Sequence, residues 1–181
     1  MKFMIASDLH GSAYYTRQLL DAFAREGADR LILLGDLLYH GPRNDLPKDY
    51  APKQVIAMLS DVQDKVLCVR GNCDTEVDQM VLPFPILADY AFLPVGTRLM
   101  YCTHGHHFNV NALPPMQKGD VLVYGHTHVP LKDVNDERAC LNPGSVSIPK
   151  EGSWHGYMTL EDGQFRWVDF DGNVHMEWNA N

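Results

Sequence analysis

Apolar residues in the first half of the chain fall into two alternating patterns, short continuous runs and longer stretches with apolar positions three or four apart. Lys2 to Ala6 is a continuous run and predicts a strand. Leu19, Leu20, Phe23 and Ala24 form a stripe at helical spacing, which predicts a helix from Ala13 to Glu26. Ser12 is its expected N-cap and Gly27 its stop. Arg30 to Leu34 carries a Leu-Ile-Leu-Leu run, apolar on both faces as a parallel strand requires. After a loop with Pro42 and Pro47, a second helix is predicted from Pro52 to Ser60. A third strand follows at Val66 to Val69, then a short helix near Asp74 to Val81. This β-α-β-α-β order predicts parallel strands with right-handed crossovers.

The second half is richer in strands. They are predicted at Ile86 to Phe92, Arg98 to Thr103, Val121 to Tyr124, Leu131 to Val134 and Ala139 to Leu141. Gly156 to Leu160, Gln164 to Phe170 and Val174 to Trp178 form a closing meander, turning at Glu161-Asp162-Gly163 and Asp171-Gly172-Asn173. Parallel and antiparallel strands together predict an α/β domain over residues 1–181, with two packed mixed β-sheets flanked by helices.

Composition narrows the function. A hydrophobic content of 45% is that of an ordinary globular protein. No stretch approaches the ~18 apolar residues of a membrane helix, so no membrane partner and a cytoplasmic location are expected. The formal net charge of −8 argues against stable nucleic-acid binding. None of the four cysteines, Cys68, Cys73, Cys102 and Cys140, is in a Cys-x-x-Cys pair, and a chain of this length needs no disulfide framework.

The chemistry lies in five short motifs, nearly all just after apolar runs. They are Asp8-Leu9-His10, Gly35-Asp36, Gly71-Asn72-Cys73-Asp74, Thr103-His104-Gly105-His106 and Gly125-His126-Thr127-His128. Asp8, His10, Asp36, Asn72, His104, His126 and His128 together offer carboxylate, amide and imidazole donors. That mixture suits a pair of borderline divalent metals better than Ca²⁺ or a structural Zn²⁺. In extended backbone the i and i+2 side chains of Asp8-x-His10 and His126-x-His128 would face one ion. The preceding glycines fit turns or a close approach of backbone to a ligand.

This series of motifs resembles that of the calcineurin-like metallophosphoesterases, over about Lys2 to Pro149. The small size, Cys73 and the Asn142-Pro143-Gly144-Ser145 loop are most similar to a branch of small bacterial phosphodiesterases. The resemblance implies a four-layer α/β/β/α sandwich with two metal ions. Asp8, His10 and His128 would hold the first ion and Asn72, His104 and His126 the second. Asp36 would bridge both through its two oxygens, and Asp36, Asn72 and His104 form the catalytic set. It implies Mn²⁺ as activator, with Fe, Co, Ni or Zn also accepted by such ligands. A hydroxide bridging the ions would attack a small phosphodiester substrate, and a small homo-oligomer fits the family.

Cys73 departs from the family pattern, in which a histidine at this place is thought to protonate the leaving group. A thiol is the poorer acid at neutral pH, so good leaving groups are expected to be favoured. Plain packing is the other reading of that residue. Asp74 is expected either to hydrogen-bond a ligand or to cap the next helix, and His106 to contact phosphate or orient His104. His40 and Arg43 are either substrate contacts or solvated loop residues. Substrate specificity is expected in the loops Tyr39 to Ala51 and Asn109 to Lys118. Two other functions share the fold or the ligands, a non-catalytic protein-binding scaffold and a phosphomonoesterase.

Overall fold

Strand β1 (Phe3–Ala6) divides its side chains between two cores, and β2 (Arg30–Leu33) repeats the division. Met4, Ala6, Leu31 and Leu33 face the helices, while Ile5, Ile32 and Leu34 face the second sheet. The computed structural model describes residues 1–181. Between β1 and β2 lies α1 (Ala13–Glu26), with the Ser12 hydroxyl accepting the Tyr15 N–H at 3.2 Å and Gly27 closing it at φ 60°. Helix α2 (Pro52–Ser60), β3 (Val66–Cys68) and α3 (Glu76–Val81) follow. The second half comprises β4 (Tyr90–Val95), β5 (Arg98–Thr103), β6 (Val121–Tyr124), β7 (Leu131–Val134), β8 (Ala139–Asn142), β9 (Gly156–Glu161), β10 (Gln164–Asp169) and β11 (Val174–Asn179).

One sheet has the order β11-β10-β9-β1-β2-β3 and the other β4-β5-β6-β8-β7. The β1, β2 and β3 strands are parallel in the first sheet, and β5, β6 and β8 in the second. Between the sheets, Met158, Phe165 and Trp167 meet Met100, Cys102, Val121, Val123 and Leu141. Full burial of each such side chain contributes about 1.5–3 kcal/mol. The layers stack in the expected order, but the fourth is an irregular segment, 105–119, rather than a helix. Its Val110 and Met116 cover Leu122, Tyr124 and Cys140 on the outer face of the second sheet. No helix is long and apolar enough to cross a membrane.

The pairing differs from expectation at one strand. Residues 86–89 are unpaired, and β4 begins only at Tyr90. Ile86 is fully buried against the helix-side core, so its apolar character serves packing there rather than pleating. β4 tolerates Pro94 because it is an edge strand.

Candidate metal centre

The two sets of parallel strands end on the same side of the molecule, and the five motifs follow those ends. Asp8 and His10 come after β1, Asp36 after β2, Asn72 after β3, His104 after β5, and His126 and His128 after β6. Loops beyond the carboxyl ends of parallel strands are the usual place for a site in open α/β sheets.

Each carboxylate has one oxygen fixed and one turned inward. Asp36 Oδ1 accepts the Cys73 N–H at 2.8 Å, and Asp8 Oδ2 accepts the His126 N–H at 3.0 Å. Asp8 Oδ1 is buried without a hydrogen-bond partner, 3.3 Å from His128 Nε2 and 3.5 Å from His10 Nε2. Asp36 Oδ2 lies 3.7 Å from His10 Nε2 and 3.4 Å from His104 Nε2, so it faces both groups of ligand residues.

The imidazoles follow the same rule. Nδ1 of His10, His104 and His128 donates to the carbonyls of Tyr39, Leu34 and Ile148, each at 2.7 Å. That fixes the tautomer and leaves Nε2 as an inward lone pair. His10 and His128 then bring Nε2 to Nε2 at 3.2 Å. His104 Nε2 stands 3.0 Å from Asn72 Oδ1 and 3.2 Å from His126 Nδ1. Asn72 is oriented by its amide N–H, which donates to Cys73 Sγ at 3.3 Å. Facing acceptors at these distances repel unless a proton or a metal ion lies between them. The unpartnered Asp8 oxygen and the converging lone pairs therefore fit divalent cations. They form a group of Asp8, His10 and His128 and a group of Asn72, His104 and His126, with Asp36 between.

Backbone strain marks the same residues. Asp8, His10, Asp36, His126 and His128 all have φ between 46° and 68°, five of only eight non-glycine residues in the left-handed region. The conformation costs on the order of 1 kcal/mol per residue and gathers at functional sites. The extended geometry expected for Asp8-x-His10 and His126-x-His128 is thus corrected. Sharp left-handed turns aim these pairs, held by His10 N–H to Asp36 O at 2.9 Å and Lys150 N–H to His128 O at 3.0 Å.

Charge is balanced by protons when no cation is bound. Burial pushes the Asp8 carboxyl up, but the His10 and His128 rings beside it, with charge on His104 nearby, outweigh that and hold the group well below the usual range. Burial likewise opposes charge on His104, yet the Asp36 carboxylate beside it and Asp8 nearby raise that ring to about 9. Burial and the charge on His104 lower His126.

The supporting residues divide differently from expectation. Asp74 is not the cap of α3; Thr75 is, in a capping box with Asp78. Asp74 instead accepts the N–H groups of Asp36, Leu37 and Gly71 at 2.8, 2.9 and 2.7 Å, and so fixes the turn that carries Asp36. The Cys73 thiol is buried and pushed up to about 12 by that burial and by Asp36. His106 packs 5.4 Å from the His104 ring, and burial and its histidine neighbours lower it to about 4. Sequence reasoning gave Ser145 only as part of a loop that carries the resemblance and missed Ser147; both hydroxyls donate to Asp8 O, at 2.9 and 3.0 Å. Asn142 of the same loop accepts the buried Trp167 N–H on its carbonyl and donates to Gly125 O, a role the sequence did not give. A cavity of about 360 Å³ opens over the cluster, with Arg43 and Lys150 among its lining residues. Lys150 has no motif around it and gave no signal; His40 packs against Tyr39 and Tyr50 rather than lining the cavity.

Comparison with known proteins places this geometry. Residues 1–163 match the family model of the calcineurin-like phosphoesterase superfamily domain. The chain is 50% identical over 162 residues to phosphodiesterase YfcE of Escherichia coli K12, covering 90% of this chain and 88% of that one. The solved structure of the E. coli phosphoesterase YfcE superposes over the full length of both chains, with a TM-score of 0.96 and 46% identity. Vps29 of Entamoeba histolytica, at 19% identity and a TM-score of 0.64 over 99% of this chain and 100% of its own, shares the fold alone.

Proposed function

The chain belongs to the calcineurin-like phosphoesterase superfamily, and on that premise we propose that it is a phosphoric diester hydrolase working with two divalent ions. The observation that carries the reading is the convergence of inward-facing donor atoms from Asp8, His10, Asp36, Asn72, His104, His126 and His128. A protein-binding scaffold has no need to orient such groups by hydrogen bonds on their far sides, as happens for Asp8, His10, Asp36, Asn72, His104 and His128. The identity to phosphodiesterase YfcE supports diester rather than monoester hydrolysis. Mn²⁺ is the metal we assign, in an acceptor set that also suits Fe, Co, Ni and Zn. Residues 1–181 act as one domain, in a small homo-oligomer. The free, buried cysteines fit a reducing compartment, and the cytoplasm is the location we assign.

Bound at these residues, two divalent ions would lower the pKa of water from ~15.7 toward neutrality and polarise the phosphoryl oxygens. The chain's own residues do the rest. Asp8, His10 and His128 would hold one ion and Asn72, His104 and His126 the other, with Asp36 between them. Two carboxylates leave the loaded centre net positive, which attracts a phosphodiester monoanion and its more highly charged transition state. Cys73 keeps its proton and contributes little acid catalysis, so phenol-like leaving groups react best.

Hydrolysis of bis(p-nitrophenyl) phosphate, against p-nitrophenyl phosphate, by chelator-stripped protein tests the reading. Diester turnover that returns with Mn²⁺ and is absent from Asp36→Asn supports it. Absence of turnover with every divalent metal contradicts it and favours the scaffold.

A further inference from the structure

The cavity over the metal centre contains two charged side chains outside the ligand set, and both are cationic. Arg43 comes from the turn after β2, and Lys150 from the loop after β8. No carboxylate other than Asp36 lines the cavity, although the chain as a whole carries a net charge of −8. Both residues are placed by the backbone. Gly41, at φ 80°, lies so close to Cys73 that a Cβ would stand 3.4 Å from Sγ, and Asn44 Nδ2 donates to His40 O at 2.8 Å. The turn carrying Arg43 is therefore seated on the Asn72-Cys73 segment. Lys150 donates its N–H to His128 O at 3.0 Å, and its own carbonyl accepts the Ser153 hydroxyl at 2.6 Å. Neither cationic side chain has a carboxylate partner.

A diester monoanion does not use this much positive charge. Two divalent ions over Asp8, Asp36 and the attacking hydroxide would leave one positive charge, and Arg43 with Lys150 brings the number to three. The cavity, about 360 Å³, is near the lower end for ligand sites and suits a compact substrate. We propose that Arg43 and Lys150 are specificity residues, and that the substrate is a small phosphodiester with a second anionic group on one ester arm. The inference rests on the phosphodiesterase reading above and adds the charge of the arm. Arg43 offers a planar fork suited to a carboxylate or phosphate, and Lys150 a mobile point charge.

The test uses Mn²⁺-loaded protein and three p-nitrophenyl phosphodiesters with arms of similar length, 2-carboxyethyl, propyl and choline. Wild type should favour carboxyethyl over propyl, and propyl over choline, by about fivefold at each step in kcat/KM, the ceiling for an exposed ion pair. The difference should appear in KM. The carboxyethyl preference should fall toward one in Arg43→Met and Lys150→Met and persist in Lys150→Arg. Calorimetry without turnover should give 2-carboxyethylphosphonate about fivefold tighter binding than propylphosphonate, a preference lost in both Met variants. Equal rates on the three arms, or a carboxyethyl preference that survives the double variant, overturn the inference while leaving the phosphodiesterase reading intact. Turnover of none of the three overturns that reading and the inference with it.

Discussion

Asp74 accepts the backbone N–H of Asp36 at 2.8 Å, so one buried carboxylate sets the turn from which another reaches the ligand cluster. Two further N–H groups, from Leu37 and Gly71, donate to the same carboxylate. In Asp74→Asn an amide NH₂ would face at least one of these donors. The expected result is a folded protein with metal affinity reduced by about 10–100-fold, the usual scale for groups that orient ligands. Calorimetric Mn²⁺ titration checks it. Unchanged affinity would show that the turn holds without Asp74.

Gly71 gives a steric version of the same test. A Cβ there would overlap the Asp36 backbone nitrogen and Oδ1, and stand 2.9 Å from its carboxyl carbon. Gly71→Ala should displace Asp36 and reduce diester turnover by at least about 100-fold, as misplacement of about 1 Å at a reacting centre does. Gly172→Ala, where φ is 92° but no atom lies within 4 Å of the added methyl, is the control for backbone strain without a clash at the centre.

The pH dependence follows from His104. Its ring is raised to about 9 in the metal-free fold, against an ordinary value of 6.5. A group raised on folding stabilises the protein below its unfolded pKa and loses that contribution as pH rises through the folded value. The melting temperature of metal-free protein should therefore fall between about pH 6.5 and 9. Metal must displace this proton, so apparent Mn²⁺ affinity should rise by up to about tenfold per pH unit over the same window. Opposite slopes for the two forms are the expected signature, and parallel slopes would count against His104 as a ligand.

Cys73 sets the leaving-group preference. A thiol pushed up to about 12 is a much weaker acid than an imidazole. Cys73→His should raise the rate on alkyl phosphodiesters relative to aryl ones, by at most the 10²–10⁴-fold that general acid catalysis supplies. An unchanged alkyl-to-aryl ratio would leave the residue with a packing role, together with its contact to the Asn72 amide.

Element positions were legible where local chemistry is strong. Ser12 and Gly27 bound α1 as expected, and Pro52 opens α2. The ligand residues were legible because five short motifs in a fixed order are improbable by chance. Their conformation was not, since Asp-x-His spacing is equally compatible with extended and left-handed backbone, and only the packed strand ends select the latter. Of the two readings of Asp74, capping fails because Thr75 and Asp78 form the stronger cap one residue later. Lys150 and Ser147 reach the centre through long-range contacts with His128 and Asp8, which no local pattern encodes.

Anomalous diffraction from crystals grown with Mn²⁺ tests the central claim most directly. The account predicts two peaks per chain, about 3.5–4 Å apart. Both should coordinate Asp36 Oδ2, one with Asp8, His10 and His128, the other with Asn72, His104 and His126. A single peak, or a second peak that does not contact Asp36, would contradict it.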